Sequence, residues 1–465
     1  MQRRRRPGSS QGELFPRSKR PTIVIDEKHP LVVMTETLDW TALEELVEAI
    51  RRRKLKNGAG RPPQLRALIG AVMFRATRRM TYRDTEDQIR HYGPARYLCA
   101  LTESDWTPDA NTIQDFEQLL GEDGVSRLNE HVVQKAVDEK LADPSVLVAD
   151  TTAQEATIPH PNEMGLMAAF ATAVCTTSRR VGGSLKAFAV KASETFATIR
   201  RKLREYRLFA KEKGKKVRNR MVMAMTNLVE KIQRGLAKAV SQVDVQKQRL
   251  RRYGKVAWAK AVHLHETMKK LLPQIRYWLK TGYVAAHKVV NLWMPEVYSI
   301  VRGKVGKPVE FGLNWGIRRL RGGYVLATVA RQRGDLQDAR YAVQAVDEHI
   351  ALFGKAPRSY AYDRGGYSGE NVAALRQRGV RNIGLAPRGR CEWPVKGRVR
   401  EALIRERAQV EGCIGSIKSN RYGFGRPGAR SVEMMGVGGQ RSVLGFNLTK
   451  LARELTDRAQ QATAG

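Results

Sequence analysis

The sequence predicts an α/β protein: a mixed sheet flanked by helices, preceded by an all-α domain and interrupted by a long helical insertion. Three observations carry that reading. Short β-prone runs recur at 146–150, 307–331, 358–363 and 382–388, separated by segments of helical texture. Residues 38–140 and 186–295, by contrast, repeat their apolar residues at helical spacing. At 465 residues the chain is also long enough to bury large cores and to hold two to four folding units.

Taken in order, residues 1–21 form a basic tail containing Pro, Gly and Ser, with the charge but not the apolar stretch of a secretory signal. Thr41 and Glu44 make a capping box that opens TALEELVEAIRRRK, and Asn57-Gly58 can close that helix. LRALIGAVMFRAT, YRDTEDQIRHYG and PDANTIQDFEQLL follow, the last begun by Pro108 and Asp109. Several short helices with Arg-rich faces suit a DNA-binding module of the helix-turn-helix sort.

VLVAD (146–150) is a continuous apolar run ending in Asp, the pattern of a buried strand with an acid at its exit, and ATIPHP is a second β-prone patch. Residues 165–178 look helical. Over 201–280 there are 23 Lys/Arg against 5 Asp/Glu, yet apolar spacing persists in MVMAMTNLVEKIQRGLAKAV, so the insertion reads as packed helices with a cationic surface for phosphates. Two period-2 runs in 307–331 flank Arg321-Gly322-Gly323 and predict a hairpin. RSYAYD (358–363) is a second strand ending in Asp, GENVAALRQRG a short helix, NIGLAPR a strand and RCEWPVKGR a loop. Residues 430–455 read as a terminal helix.

Composition narrows the function. Lys plus Arg number 83 against 46 Asp plus Glu, a net charge of +37, which attracts polyanions, DNA or RNA above all. Four separated cysteines without a C-x-x-C pair suggest neither a zinc site nor a disulfide framework and fit a reducing compartment. No apolar run reaches membrane-spanning length, so a soluble, cytoplasmic, nucleoid-associated protein with no membrane partner is expected.

The chemistry concentrates in three acids. Asp150 and Asp363 each end a predicted strand, and Glu411 lies on a helix read over Arg405–Tyr422. At 100° per residue, Arg407, Glu411 and Lys418 fall within about 40° of one another, while Leu403, Val410, Ile414 and Ile417 form the adjoining apolar stripe. Neighbouring strands would let the two Asp carboxylates share cations. Two Mg²⁺ ions, with Mn²⁺ as a substitute, would take such hard oxygen ligands together with substrate phosphate. Arg407, Lys418 and Arg421 are the candidate phosphate-binding cations. Gly412 and Gly415 weaken the helix by about 1 kcal/mol each relative to Ala and suggest close approach to its backbone.

This constellation resembles the catalytic triad of DDE transposases from bacterial insertion sequences. Arg407, three residues, Glu411, six residues and Lys418 match most of the Y-x2-R-x3-E-x6-K signature, with Ile404 in place of its Tyr. VLVADTTAQEATIPHPNEMGLM and SYAYDRGGYSGEN resemble the flanks of the first two acids, the latter with an extra Gly at 365–366. GRPPQLRALIGAVMFRAT through TPDANTIQDFEQLL is similar to the helical N-terminal domain of such enzymes, and KVGKPVEFG with the long insertion resembles the ISNCY-like grouping. The resemblance implies an RNase H-like catalytic domain that cleaves transposon ends and transfers the freed 3′-hydroxyl to target DNA, working on double-stranded DNA as a dimer. A catalytically silent DNA-binding derivative is the alternative.

The expected boundaries are a basic tail over 1–30, a helical DNA-binding domain over 31–140, a catalytic domain over 141–185 and 296–429, a helical insertion over 186–295, and a C-terminal helix over 430–465. Other candidates rank lower: Asp39, Glu155 and Glu163 read as caps or solvated acids. Glu406 points about 140° away from Glu411 around the helix. His160, His263 and His265 have no partners at metal-ligand spacing, and Trp293, Trp315 and Trp393 are base-stacking candidates for which core packing is the commoner role.

Overall fold

The computed structural model describes residues 25–55, 63–104, 106–244, 252–304, 307–330, 332, 334–387 and 392–464. The tail expected over 1–30 therefore lies largely outside the described residues, as does Asn57-Gly58.

The chain begins with six helices, α1 (Pro30–Thr37), α2 (Trp40–Lys54), α3 (Leu65–Arg78), α4 (Tyr82–His91), α5 (Gly93–Leu98) and α6 (Ala110–Asp138). The expected capping box at Thr41 does not form. α2 starts earlier, because the Asp39 carboxylate accepts the Ala42 amide at 3.0 Å, and a charged cap suits the positive end of the helix dipole. Asp109 caps α6 as anticipated, accepting from Thr112 N at 2.8 Å.

β1 (Asp143–Glu155) is followed by five helices: α7 (Glu163–Val181), α8 (Gly183–Lys191), α9 (Ser193–Phe209), α10 (Lys215–Asp244) and α11 (Arg252–Thr281). These helices bury a core of their own, with Phe170, Ile199, Met225, Val229, Leu264 and Met268 at its centre. The chain then returns to the sheet through β2 (Tyr298–Lys304), β3 (Lys307–Arg321) and β4 (Val325–Val329). α12 (Asp338–Phe353), β5 (Ser359–Tyr362), α13 (Gly369–Gln377), β6 (Asn382–Leu385), α14 (Gly397–Lys418) and α15 (Val432–Ala464) complete it.

The sheet runs β2-β3-β1-β5-β6, with β4 also on β3. β3 is its spine. One edge pairs antiparallel with β1 (Ile317 opposite Asp150), and the other pairs first with β2 and then with β4. β1 pairs parallel with β5, and β5 with β6, so the sheet is mixed. The β3–β4 turn carries Gly322 and Gly323 at φ of 96° and 88°, the left-handed conformation that the sequence signal demanded.

Several elements differ from expectation. β1 does not stop at Asp150. Thr151, Thr152 and Ala153 continue it because β3 is long enough to pair with them, so Asp150 is an interior strand residue. ATIPHP is not a strand beyond its junction with β1, and the polar edge strand β2 was not anticipated. α14 begins at Gly397, eight residues before Arg405, and ends at Lys418, which leaves Arg421 and Tyr422 outside the helix.

The two faces of the sheet are covered differently. Leu147 and Ala149 join one continuous core with Leu43, Ile113 and Val133 of the N-terminal helices, Tyr341 of α12 and Leu448 of α15. Val148 faces the other way, packed with Leu403, Val410 and Ile417 of α14. Polar ties reinforce the first layer. Asn129 of α6 donates to Val325 O at 3.0 Å, and Asn447 of α15 donates to Asn129 Oδ1 at 2.7 Å. Glu117, fully buried, is clamped by Arg75 at 2.9 Å, Arg441 at 3.2 Å and the Tyr82 hydroxyl. Among the described residues, no helix is long and apolar enough to cross a membrane.

Candidate active site

β1 and β5 run parallel with Val148 opposite Ala361 as their last pair. Asp150 and Asp363 each stand two residues further on, where β5 ends while β1 runs on against β3, so both lie on the same face at the end of the parallel pairing. That face is the one beneath α14. Asp150 takes the Thr151 amide at 2.7 Å, and Asp363 caps a single 3-10 turn, Arg364–Gly366, by accepting Gly365 N at 2.7 Å.

Burial pushes the Asp150 carboxyl up to about 6, and the like charges of Asp363 and Asp338 add to the shift. The Thr151 amide and the Arg407 guanidinium pull the other way and do not cancel it. The buried Tyr341, Tyr360 and Tyr362 feel the Asp150 charge, and burial first raises their hydroxyls far above the usual range, so they stay neutral and add no negative charge of their own. Hard oxygen donors held together with excess negative charge are what a divalent cation of the Mg²⁺ type requires.

Asp338, at the first position of α12, is an acid that the sequence reading missed. It accepts from Thr151 Oγ1 at 2.9 Å and from the Tyr362 hydroxyl at 3.4 Å, which fixes one of its oxygens beside the pair. Its sequence signal is only that of an acid in a first helical turn, which is common for dipole reasons alone. The extra glycine has a steric reason. A Cβ on Gly365 would sit 2.8 Å from Asp338 Oδ2 and 2.9 Å from Asp363 Oδ1, between the two carboxylates.

α14 brings Arg407 into the electrostatic reach of Asp150 but leaves Glu411 apart. The Glu411 side chain is 68 % exposed and faces Arg407 at 3.8 Å. Among the described residues, no group of three or more His, Cys, Asp or Glu is arranged to hold a metal ion. Asp363 and Arg407 thus both act on Asp150, whereas Glu411 is exposed and faces Arg407. Lys418 is half-buried at the end of α14, and Arg421 is exposed beside the Tyr422 ring. Gly412 and Gly415 face open space: a Cβ added at either position would meet nothing within 4 Å. Ile404 is exposed, and nothing in the structure explains it in place of Tyr.

The lower-ranked candidates have structural partners. Glu155 pairs with Arg426 at 2.9 Å, Glu163 with Lys288 at 2.6 Å, and Glu406 anchors α14 to Arg319 and Arg321 of β3. His263 donates from Nε2 to Leu292 O at 2.8 Å and stacks on Trp293, which is 44 % exposed, whereas Trp315 is fully buried. His265 lies against Gln233, and His160 meets Phe311 edge-on.

Comparison with known proteins adds one finding. No curated protein and no solved structure matches this chain. Residues 21–119 match the family described as Transposase domain (DUF772). That stretch, similar to a transposase domain, comprises α1–α5 and the opening turns of α6.

Proposed function

We propose that the protein is a DDE transposase that cleaves DNA at the ends of a mobile element and joins the freed 3′-hydroxyl to target DNA. The observation that carries this reading is the pair Asp150 and Asp363, each two residues past the last β1–β5 partners, in a chain with a stretch similar to a transposase domain. A sheet with an antiparallel limb and a parallel limb, its acids at the end of the parallel pair, supports the RNase H-like description.

Asp150 and Asp363 would hold Mg²⁺ or Mn²⁺, with Glu411 completing the set after a side-chain rotation across Arg407. The bound ions would supply activation of the attacking oxygen and stabilisation of the leaving oxyanion. The chain's own residues position the substrate. Arg407, next to Asp150, bonds the non-bridging oxygens of the scissile phosphate, while Lys418 and Arg421 hold phosphates further along the strand. The open backbone at Gly412 and Gly415 lets the strand lie against α14. The cationic helices α9–α11 extend the contact along the duplex, and work at two ends at once calls for a dimer on DNA.

The test is excision of a plasmid-borne element with Mg²⁺. Asp150→Asn, Asp363→Asn and Glu411→Gln should each abolish it, and excision at the wild-type rate in all three would sink the assignment. One observation favours a catalytically silent DNA-binding protein instead, namely the outward placement of Glu411. That reading requires wild-type protein to bind duplex DNA without nicking it.

A further inference from the structure

A cavity of about 700 Å³ lies where α1, α3, the end of α14 and α15 meet, and neither Asp150 nor Asp363 lines it. Its floor is apolar: Leu31, Met34 and Leu448 are buried there, with the Phe446 ring beside them. Its rim is cationic. Of the lining residues, Arg78, Arg421, Lys450 and Arg453 oppose a single acid, Asp457.

The cations differ in their commitments. Lys450 is spent on Glu454 at 2.5 Å. Arg78 lies 5.5 and 5.4 Å from the Phe74 and Tyr92 rings, and Arg421 lies 5.5 Å from the Tyr422 ring. Ring contacts orient a guanidinium without using its N–H donors. Among the described residues, Arg78, Arg421 and Arg453 meet no carboxylate within ion-pair distance. Two ring-oriented forks and a third arginine above an apolar floor match a ligand with a planar apolar part and a compact anionic part.

We propose that this cavity binds a nucleoside phosphate, the base against the Phe446 ring and Leu31 and the phosphate between Arg78, Arg421 and Arg453. The volume falls within the range of small-molecule sites. The ligand is either a free nucleotide or an unpaired nucleotide at a DNA end. This inference does not rest on the reaction assigned to the acids, since it needs neither metal nor strand cleavage.

A chain of this charge binds anions everywhere, so the test needs a local reporter, and Cys413 on the cavity wall supplies one. Alkylation at Cys413 is followed by mass spectrometry of the full-length protein without divalent metal, in the presence of deoxyadenosine monophosphate, inorganic phosphate, a polyglutamate peptide, or a duplex with or without one unpaired terminal nucleotide. The nucleotide should slow Cys413 labelling by at least about fivefold and leave Cys175 unchanged. Arg78→Gln with Arg453→Gln, both at exposed positions, should abolish that protection, while Lys355→Gln with Arg376→Gln, exposed and outside the cavity lining, should retain it. Stronger protection by the duplex with an unpaired nucleotide than by the free nucleotide assigns the ligand to DNA, and the reverse assigns it to a free nucleotide. Equal protection by phosphate overturns the proposal in favour of a simple anion site, equal protection by polyglutamate in favour of an acidic protein partner. Protection that survives the double variant, or no protection at all, also overturns it. None of these outcomes bears on excision, so the two readings fail separately.

Discussion

Asp150 and Asp363 occupy equivalent positions on adjacent parallel strands, each two residues past the last registered pair, Val148 with Ala361. A buried carboxylate beside a like charge is held there at a cost in stability. Such an arrangement persists in a fold when something else uses it, the role proposed above for a cation bound with substrate.

That cost has a sign. Asp150 is pushed up to about 6 from an ordinary value of 3.8 by burial first and by Asp363 and Asp338 next. A carboxyl whose folded value is raised stabilises the fold below the unfolded value and loses that contribution as pH rises through the folded value. Asp150→Asn, which cannot ionise, should therefore be about 3 kcal/mol more stable than wild type above pH 6 without metal. The difference should vanish near pH 4. Denaturant titrations at pH 4.5 and 8 measure it, and equal stability at pH 8 would refute the burial of a charged Asp150.

Mg²⁺ or Mn²⁺ should reverse the penalty. At about a hundred times its dissociation constant, a ligand that binds only the folded chain adds about 2.7 kcal/mol. Thermal melting of wild type at pH 8 should rise with either ion, and Asp363→Asn should show no rise. A variant that gains as much as wild type would place the metal elsewhere.

Gly412 and Gly415 should separate stability from function. With open space around both, Gly412→Ala and Gly415→Ala should each stabilise α14 by about 1 kcal/mol. Excision should nonetheless fall, because a methyl would then stand where the strand approaches. Higher melting temperature with undiminished excision would mean that nothing approaches this face.

Glu117 is the opposite case, a charge whose loss should weaken the whole molecule. Its carboxylate has no exposure and is shared by Arg75 of α3 and Arg441 of α15. Glu117→Gln leaves two guanidiniums in a buried site and should cost about 3–5 kcal/mol. Limited proteolysis should then release the N-terminal helices, whereas wild-type resistance in the variant would show that the apolar core alone holds them.

On the insertion, Arg200, Arg201, Arg204 and Arg207 of α9 are exposed. If α9 tracks the duplex backbone, replacing all four by Gln should lower the salt dependence of duplex binding by about three to four units of log–log slope. An unchanged slope would put the duplex on another face.

Much of this molecule is written in its local sequence. Asp109 as a helix cap, the hairpin at Gly322-Gly323, the basic helices of the insertion and the acids that follow or lie near the ends of apolar runs all depend on residues a few positions apart, where spacing and turn chemistry act directly. What depended on distant partners could not be read in this way. β1 outran its apolar run because β3 offered pairing partners up to Gly312, and β2, a polar edge strand, became a strand only because β3 lay beside it. Asp338 came beside the pair through a hydrogen bond from Thr151, 187 residues away, and Glu411 stands exposed against Arg407. The sequence by itself determined which side chains carry charge and which segments could become helix or strand. Only the tertiary structure decided which acids meet, because the register of β1 against β5 and the packing of α12 and α14 on opposite faces are set by contacts between residues far apart in the chain.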